Sequence, residues 1–278
     1  MANGAADSNL PAGRGCAGGR SLTGLVDSHC HLQSEAFDID REAVIERALA
    51  AGIDRILVPG YDLPSSEAAL ALAAQHPGLI VAGVGIHPHF VAGATAADWT
   101  RLEALAGERD AVAIGEIGLD FFRNLSPADV QREAFARQLD LAARAGKPVL
   151  VHDREAHSEI STALLGWPGP GRNVRGVLHC FSGDAPMALR LSAAGYLISF
   201  ALPVTFRSAT GPRAAASELS EGSILVETDS PWLAPGRGRR NEPTTVVRVV
   251  DGLARLRGVA PDALMDQVGG AYERLLAS

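Results

Sequence analysis

Short apolar runs alternate with longer stretches of helical periodicity along almost the whole chain. The first run, Leu25-Val26, leads into Asp27-Ser28-His29-Cys30-His31. Residues 41–51 then place Ala43, Val44, Ala48 and Ala51 on one helical face, with Gly52 as the stop. A second strand is predicted at 53–58, ended by Pro59-Gly60, and a second helix at 65–76, with Ser65 or Ser66 as N-cap and Pro77-Gly78 as terminator. The same alternation predicts strands at 79–84, 111–115, 149–151, 174–178, 196–200 and 223–227. Helices are predicted between them at 96–106, 127–145, 155–165, 186–194 and 212–219, and two more, 244–257 and 261–276, finish the chain. The strand at 79–84 leads into Gly85-Ile86-His87-Pro88-His89.

Short apolar strands separated by helices indicate a parallel sheet covered by helices. About eight such units predict an α/β fold of one domain, a (β/α)8 TIM barrel over residues 24–278. A doubly wound open sheet is the competitor, but it calls for a glycine-rich phosphate turn after the first strand, where this chain has Asp-Ser-His-Cys-His. Residues 1–23 are rich in Gly, Ala, Ser and Asn and lack both a periodic apolar face and the apolar centre of a secretory signal. They are read as a short disordered leader with no export implied.

Composition narrows the function. At 278 residues with 47% hydrophobic and 21% charged positions, the chain has the make-up of a soluble globular protein, and no stretch reaches the ~20 apolar residues of a membrane span. A formal charge of -7 argues against a broadly basic nucleic-acid surface, so phosphate recognition must come from a local cluster. Three cysteines, Cys16, Cys30 and Cys180, make no disulfide framework, and a reducing cytoplasm fits best. Cys30 and Cys180 stand beside histidines and are read as buried thiols rather than ligands.

The candidate chemistry lies where the strands end. In an extended strand Asp27, His29 and His31 share one face, which sets two imidazoles side by side as metal ligands. Glu116, His152, His179 and Asp229 each follow a short apolar run, at the fourth, fifth, sixth and eighth strand ends, where barrel enzymes gather their chemistry. Four imidazoles and two carboxylates exceed the needs of one tetrahedral ion, so the economical reading is two divalent ions ~3.5–4 Å apart with Glu116 as bridge. The bland alternative is that some of them are satisfied core histidines or acids that only orient ligands. Asp229 is read as both ligand and acceptor of the proton from the attacking water, so the catalytic candidates are Asp229 and Glu116.

Taken together, Asp-Ser-His-Cys-His at 27–31, Gly-Ile-His-Pro-His at 85–89, Gly-Glu-Ile-Gly-Leu-Asp at 115–120, Val-His-Asp-Arg-Glu-Ala at 151–156, His-Cys-Phe-Ser-Gly at 179–183 and Glu-Thr-Asp-Ser-Pro at 227–231 closely resemble the TatD-type metal-dependent deoxyribonucleases of the amidohydrolase superfamily. The resemblance covers roughly residues 24–276. It implies a barrel, a divalent-metal site, and hydrolase activity that includes trimming DNA from the 3′ end, in keeping with DNA turnover or repair. It assigns His29, His31, Glu116, His152, His179 and Asp229 as metal-binding, and it puts Glu116 where other relatives carry a modified lysine. The chain departs from the family pattern at Phe200-Ala201-Leu202-Pro203 and at Ala271-Tyr272-Glu273-Arg274, neither of which touches a predicted ligand.

Substrate contacts are read from position. Arg154 follows the fifth strand, and Arg237, Arg239 and Arg240 crowd the loop after the eighth, where the planar guanidinium suits phosphate; a solvated loop is the alternative. His87 and His89 either contact substrate or brace their loop. Phe121-Phe122 is a candidate base platform or plain packing. The leading expectation is a phosphodiesterase acting on single-stranded DNA ends as a monomer or weak dimer. The same ligands would serve a deacylase cutting an ester or amide such as an aminoacyl-tRNA, and a metal-sensing scaffold is the non-enzymatic alternative. Imidazole ligands favour Zn, Mn, Ni or Fe, whereas the resemblance implies activity with Mg.

Overall fold

The computed structural model describes residues 24–236 and 238–277, so the leader expected at 1–23 and Arg237 lie outside the described residues. Eight parallel strands pair in strict sequence order: β1 (Leu25–Asp27), β2 (Ile53–Pro59), β3 (Ile80–Val84), β4 (Ala111–Asp120), β5 (Val149–Arg154), β6 (Gly176–Leu178), β7 (Tyr196–Phe200) and β8 (Ile224–Val226). Helices α1 (Arg41–Ala50), α2 (Leu63–Gln75), α3 (Ala96–Ala106), α4 (Ala128–Ala145), α5 (His157–Gly166), α6 (Ala185–Ala193) and α7 (Thr210–Glu218) connect them, and α8 (Val246–Arg257) and α9 (Pro261–Leu276) follow β8. This is the predicted (β/α)8 barrel. Its strands read as unbroken apolar runs because they are covered on both faces, and β3, β6, β7 and β8 are buried along nearly their whole length.

Local sequence sets the helix ends. The Asp62 carboxylate caps α2 by accepting from the Ser65 N–H at 2.8 Å while the Ser65 hydroxyl accepts from the Asp62 N–H at 2.9 Å, so the helix starts two residues before the predicted Ser65. Gly146, at φ +65°, closes α4 in the left-handed region that suits glycine. No described helix is long and apolar enough to cross a membrane.

The ring closes where the chain returns from β8 to β1. The Ser28 N–H donates to the Val226 carbonyl at 2.9 Å, the Asp229 N–H to the His29 carbonyl at 2.9 Å, and the His31 N–H to the Ser230 carbonyl at 2.7 Å. Within this seam the Asp27 carboxylate accepts from the Thr228 N–H at 2.9 Å and the Thr228 hydroxyl at 2.6 Å. Asp27 is thereby committed to closing the barrel rather than sharing a task with His29 and His31. Strand pairing ends at Asp27, and the two histidines lie just beyond it.

β4 is twice its predicted length, and its irregularity matters more than its length. Ile114 pairs with Val149 and Ile117 with Val151, so three steps on β4 match two on β5. The extra residue is a bulge at Gly115-Glu116, a device that re-aims a side chain. The Glu116 N–H leaves the ladder and donates to the Gly60 carbonyl at 2.6 Å. Two glycines permit the crowding: a Cβ at Gly115 would press on Leu150, and one at Gly118, which sits at φ +142°, would run into the His152 carbonyl.

Burial pushes the Asp27 carboxyl up to about 8 from an ordinary 3.8, outweighing its hydrogen bonds from Thr228. The folded chain thus keeps a proton that the unfolded chain releases, and the stability this group contributes falls as pH rises from about 4 to about 8. Asp27→Asn is expected to level that part of the pH dependence. Urea unfolding of chelator-treated protein at pH 5 and pH 8 measures it, and an unchanged difference between wild type and variant would refute it.

Candidate metal centre

Two sets of donors meet at the C-terminal pole of the barrel. In the first, His29 Nε2 and His31 Nε2 approach to 3.0 Å, and both face Glu116 Oε2, at 3.4 and 3.5 Å, and Asp229 Oδ1, at 3.9 and 3.6 Å. In the second, Glu116 Oε1 lies 3.0 Å from His152 Nδ1 and 2.8 Å from His179 Nε2, which are 3.2 Å from each other. His87 Nε2 stands 3.4 Å from the same oxygen, so it joins the second set. The two oxygens of Glu116 therefore serve different clusters. His29 and His179, one from each, stack with ring centroids 3.9 Å apart.

The donor chemistry fits bound cations. Lone-pair-bearing nitrogens and carboxylate oxygens crowd to about 3–4 Å in a pole where His29, His31, Glu116 and His179 are all buried. Ligands at ~2.0–2.1 Å in tetrahedral array would stand about 3.3–3.4 Å apart, inside the spread seen in the first set. Electrostatics of the bare residues divide the imidazoles. Burial depresses His29, and it brings His87 down to about 4, so both present lone pairs at neutral pH, whereas against burial the Glu116 and Glu227 carboxylates hold His179 well above its ordinary value and Asp120 and Glu116 raise His152. Burial acts to raise Glu116, but the surrounding imidazoles, His179 foremost, hold it well below the usual carboxylate range.

Around the donors stand residues that orient them. Asp120 Oδ2 lies 3.2 Å from His152 Nε2 and 2.7 Å from His89 Nε2, so it fixes which nitrogen of His152 faces Glu116. Despite burial, hydrogen bonding to His152 and to the Arg123 N–H keeps Asp120 ionised far below its ordinary value. Fully buried Glu227 accepts from the Cys180 N–H at 2.7 Å and the Ser199 hydroxyl at 2.5 Å, and stands 3.4 Å from His179 Nδ1. Sequence reasoning passed over both acids. The signal was present, since Asp120 ends the Gly-Glu-Ile-Gly-Leu-Asp string and Glu227 precedes Asp229. Taking a single chemical residue at the fourth and eighth strand ends hid them.

The predicted substrate residues part company. Arg154 is exposed, with its guanidinium 4.8 Å over the Phe122 ring, and it lines a cleft of about 990 Å³ that runs from His152, His179 and Asp229 past Arg190 to the start of α7. Arg240 instead pairs with Asp40 at 2.6 Å and Glu242 at 3.0 Å and lies over Phe37, tying the loop after β8 to the N-terminus of α1. Arg239 is exposed, and Arg237 lies outside the described residues. His89 is engaged by Asp120, and its carbonyl accepts at 3.2 Å from the hydroxyl of Ser126, on the loop between β4 and α4. Phe121 is half-buried beneath Arg132, as packing would have it, whereas Phe122 is exposed. Cys30 is buried, but Cys180 is partly open and lines the cleft.

Comparison with known proteins agrees with this geometry. Residues 26–277 match the family model described as TatD related DNase. The chain is 37% identical over 235 residues to the uncharacterized metal-dependent hydrolase YabD of Bacillus subtilis, covering 84% of this chain and 91% of that one. It is 37% identical over 246 residues to the 3'-5' ssDNA/RNA exonuclease TatD of Cronobacter sakazakii, covering 85% and 92%. Among solved structures, the TatD homolog YJJV of Escherichia coli superposes with a TM-score of 0.84 at 31% identity, over 91% of this chain and 97% of that one. The chain belongs to the TatD-related DNase family of metal-dependent hydrolases.

Proposed function

We propose that this chain is a 3′ exonuclease that hydrolyses phosphodiester bonds at single-stranded DNA ends with two divalent ions. The observation that carries the reading is Glu116, a buried acid whose two oxygens face two separate donor sets, of which His152, His179 and Asp229 line an open cleft. His29, His31 and Asp229 would hold one ion, His152 and His179 the other, and Glu116 both; Mg, Mn and Zn are the candidates. Bound there, a pair of divalent ions supplies a water acidic enough to attack at neutral pH and neutralises charge on the phosphoryl oxygens.

The chain's own residues do the rest. The Asp229 side chain, 16% exposed, and that of His152, 18% exposed, both line the cleft, and of the two the Asp229 carboxylate, which despite burial is held below its ordinary value by His31 and His179, is the donor placed to take a proton from the attacking water. Its backbone, at φ +56°, is held in the left-handed region by the seam hydrogen bond to His29. Arg154 stands where the cleft opens and offers a planar fork to a phosphate oxygen. These arginine-bearing walls favour a phosphodiester over the ester or amide of a deacylase. The cleft is at the upper end of the ~300–1,000 Å³ typical of small-ligand sites, enough to enclose a chain end.

Metal-stripped protein resupplied with Mg, Mn or Zn is expected to shorten a 5′-labelled single-stranded oligonucleotide one nucleotide at a time, and Glu116→Ala is expected to leave it intact. Hydrolysis of a simple ester with no cleavage of the oligonucleotide would overturn the exonuclease reading. Asp229→Asn should lose about 10²–10⁴ in kcat, the range for general acid–base catalysis, while retaining most of its bound metal. Full activity in that variant would remove Asp229 from the proton-accepting role. For Asp120→Asn, titration against a chelator is expected to show divalent-metal affinity roughly 10–100-fold weaker, as for other outer partners of a ligating histidine, with activity restored by excess metal.

A further inference from the structure

The mouth of the barrel also carries a set of aromatic rings that the hydrolytic chemistry does not use. Trp232, three residues past Asp229, is 50% exposed, with its ring 4.7 Å from that of His31 and at 78° to it. Tyr61 lies 5.6 Å from His31, and half-exposed Phe90 lies 5.6 Å beyond Tyr61. These rings follow β8, β2 and β3, whereas the cleft is walled chiefly by the segments after β5, β6 and β7, with Asp229 and Leu233 from the segment after β8. The aromatic arc thus continues the rim of the metal centre from the β8 side of the cleft round to the segments after β2 and β3.

Packing does not account for Trp232. Of the three tryptophans, Trp167 is buried and Trp99 packs on the core beneath the Arg137 guanidinium, but half of the Trp232 indole is left in water. Nor is it on a loose loop. The Trp232 N–H donates to the Asp229 carbonyl at 2.9 Å, the Asn241 N–H to the Pro231 carbonyl at 3.0 Å, and the Asn241 side-chain amide to the Thr228 carbonyl at 2.9 Å. The backbone that carries this large, exposed ring is therefore fixed beside the metal centre, and the ring itself meets His31 edge-on. Phe122, on the opposite flank, is also exposed, but its ring is already covered by Arg154.

We propose that Trp232 is the stacking platform for the base of the nucleotide next to the scissile phosphate, with Tyr61 and Phe90 continuing the platform. This rests on the phosphodiesterase reading and deepens it by naming the residue that receives the base. A base inside a duplex has both faces covered by its neighbours, whereas an unpaired base offers a face to an indole. Stacking is tolerant of sequence, because every base has such a face, and it is worth roughly five- to 150-fold in affinity per base. The platform therefore selects for unpaired bases and against abasic residues, without reading sequence.

The test uses metal-loaded protein and two pentamers with phosphorothioate linkages, one of thymidine and one of abasic residues. Wild type is expected to bind the thymidine pentamer about tenfold more tightly than the abasic one, with a change in tryptophan fluorescence on binding only the former. Trp232→Ala should bring the two affinities to within about twofold of each other, and Trp232→Phe should keep most of the preference while losing the fluorescence change. A structural defect in Trp232→Ala would weaken both pentamers alike and leave their ratio intact, which overturns the proposal. An oligonucleotide that is hydrolysed normally but bound without preference by wild type overturns the platform and leaves the exonuclease reading standing. Failure of wild type either to bind or to cut any oligonucleotide overturns both.

Discussion

A single buried carboxylate organises this molecule. Glu116 lies among five imidazoles, those of His29, His31, His87, His152 and His179, each within 3.5 Å of one of its oxygens. Burying an acid is costly unless charge and hydrogen bonds compensate, and here the compensation comes from every side. The backbone bends to allow it. The bulge at Gly115-Glu116 turns the side chain toward the pole, the Gly60 carbonyl takes the displaced N–H, and Gly115 and Gly118 leave room for the neighbouring strands. A rearranged bulge would separate the two donor sets even if every ligand were retained.

Around that acid the imidazoles are aimed rather than merely gathered. Asp120 selects the nitrogen that His152 presents, and Glu227 pins the turn that carries His179 and Cys180. The shell grades from closed to open: His29 and His31 are sealed, and Asp229 is reachable from the cleft.

Much of this was legible in the sequence, for a physical reason. Parallel strands covered on both faces write themselves as apolar runs, so a polar residue directly after such a run is at a strand end, and His152, His179 and Asp229 were located that way. Tertiary partners were not legible. Asp27 has the right spacing to share a face with His29, but the competing Thr228 is 201 residues away. Arg240 reads as a free loop cation until folding brings Asp40 beside it. The bulge on β4 breaks the period-two alternation on which strand reading depends, and so β4 was cut short at the residue where its contribution begins.

The seam between β1 and β8 ties chemistry to the order of synthesis. His29 and His31 emerge from the ribosome early, but Asp229 and the Thr228 that locks Asp27 come some two hundred residues later. A nascent chain that has not yet made β8 has an open sheet, an incomplete first donor set and no Trp232. Nothing in such a fragment can assemble the full metal centre. Closing the ring and completing the donor set are one event, so the residues placed to hold metal come together only when the barrel is complete.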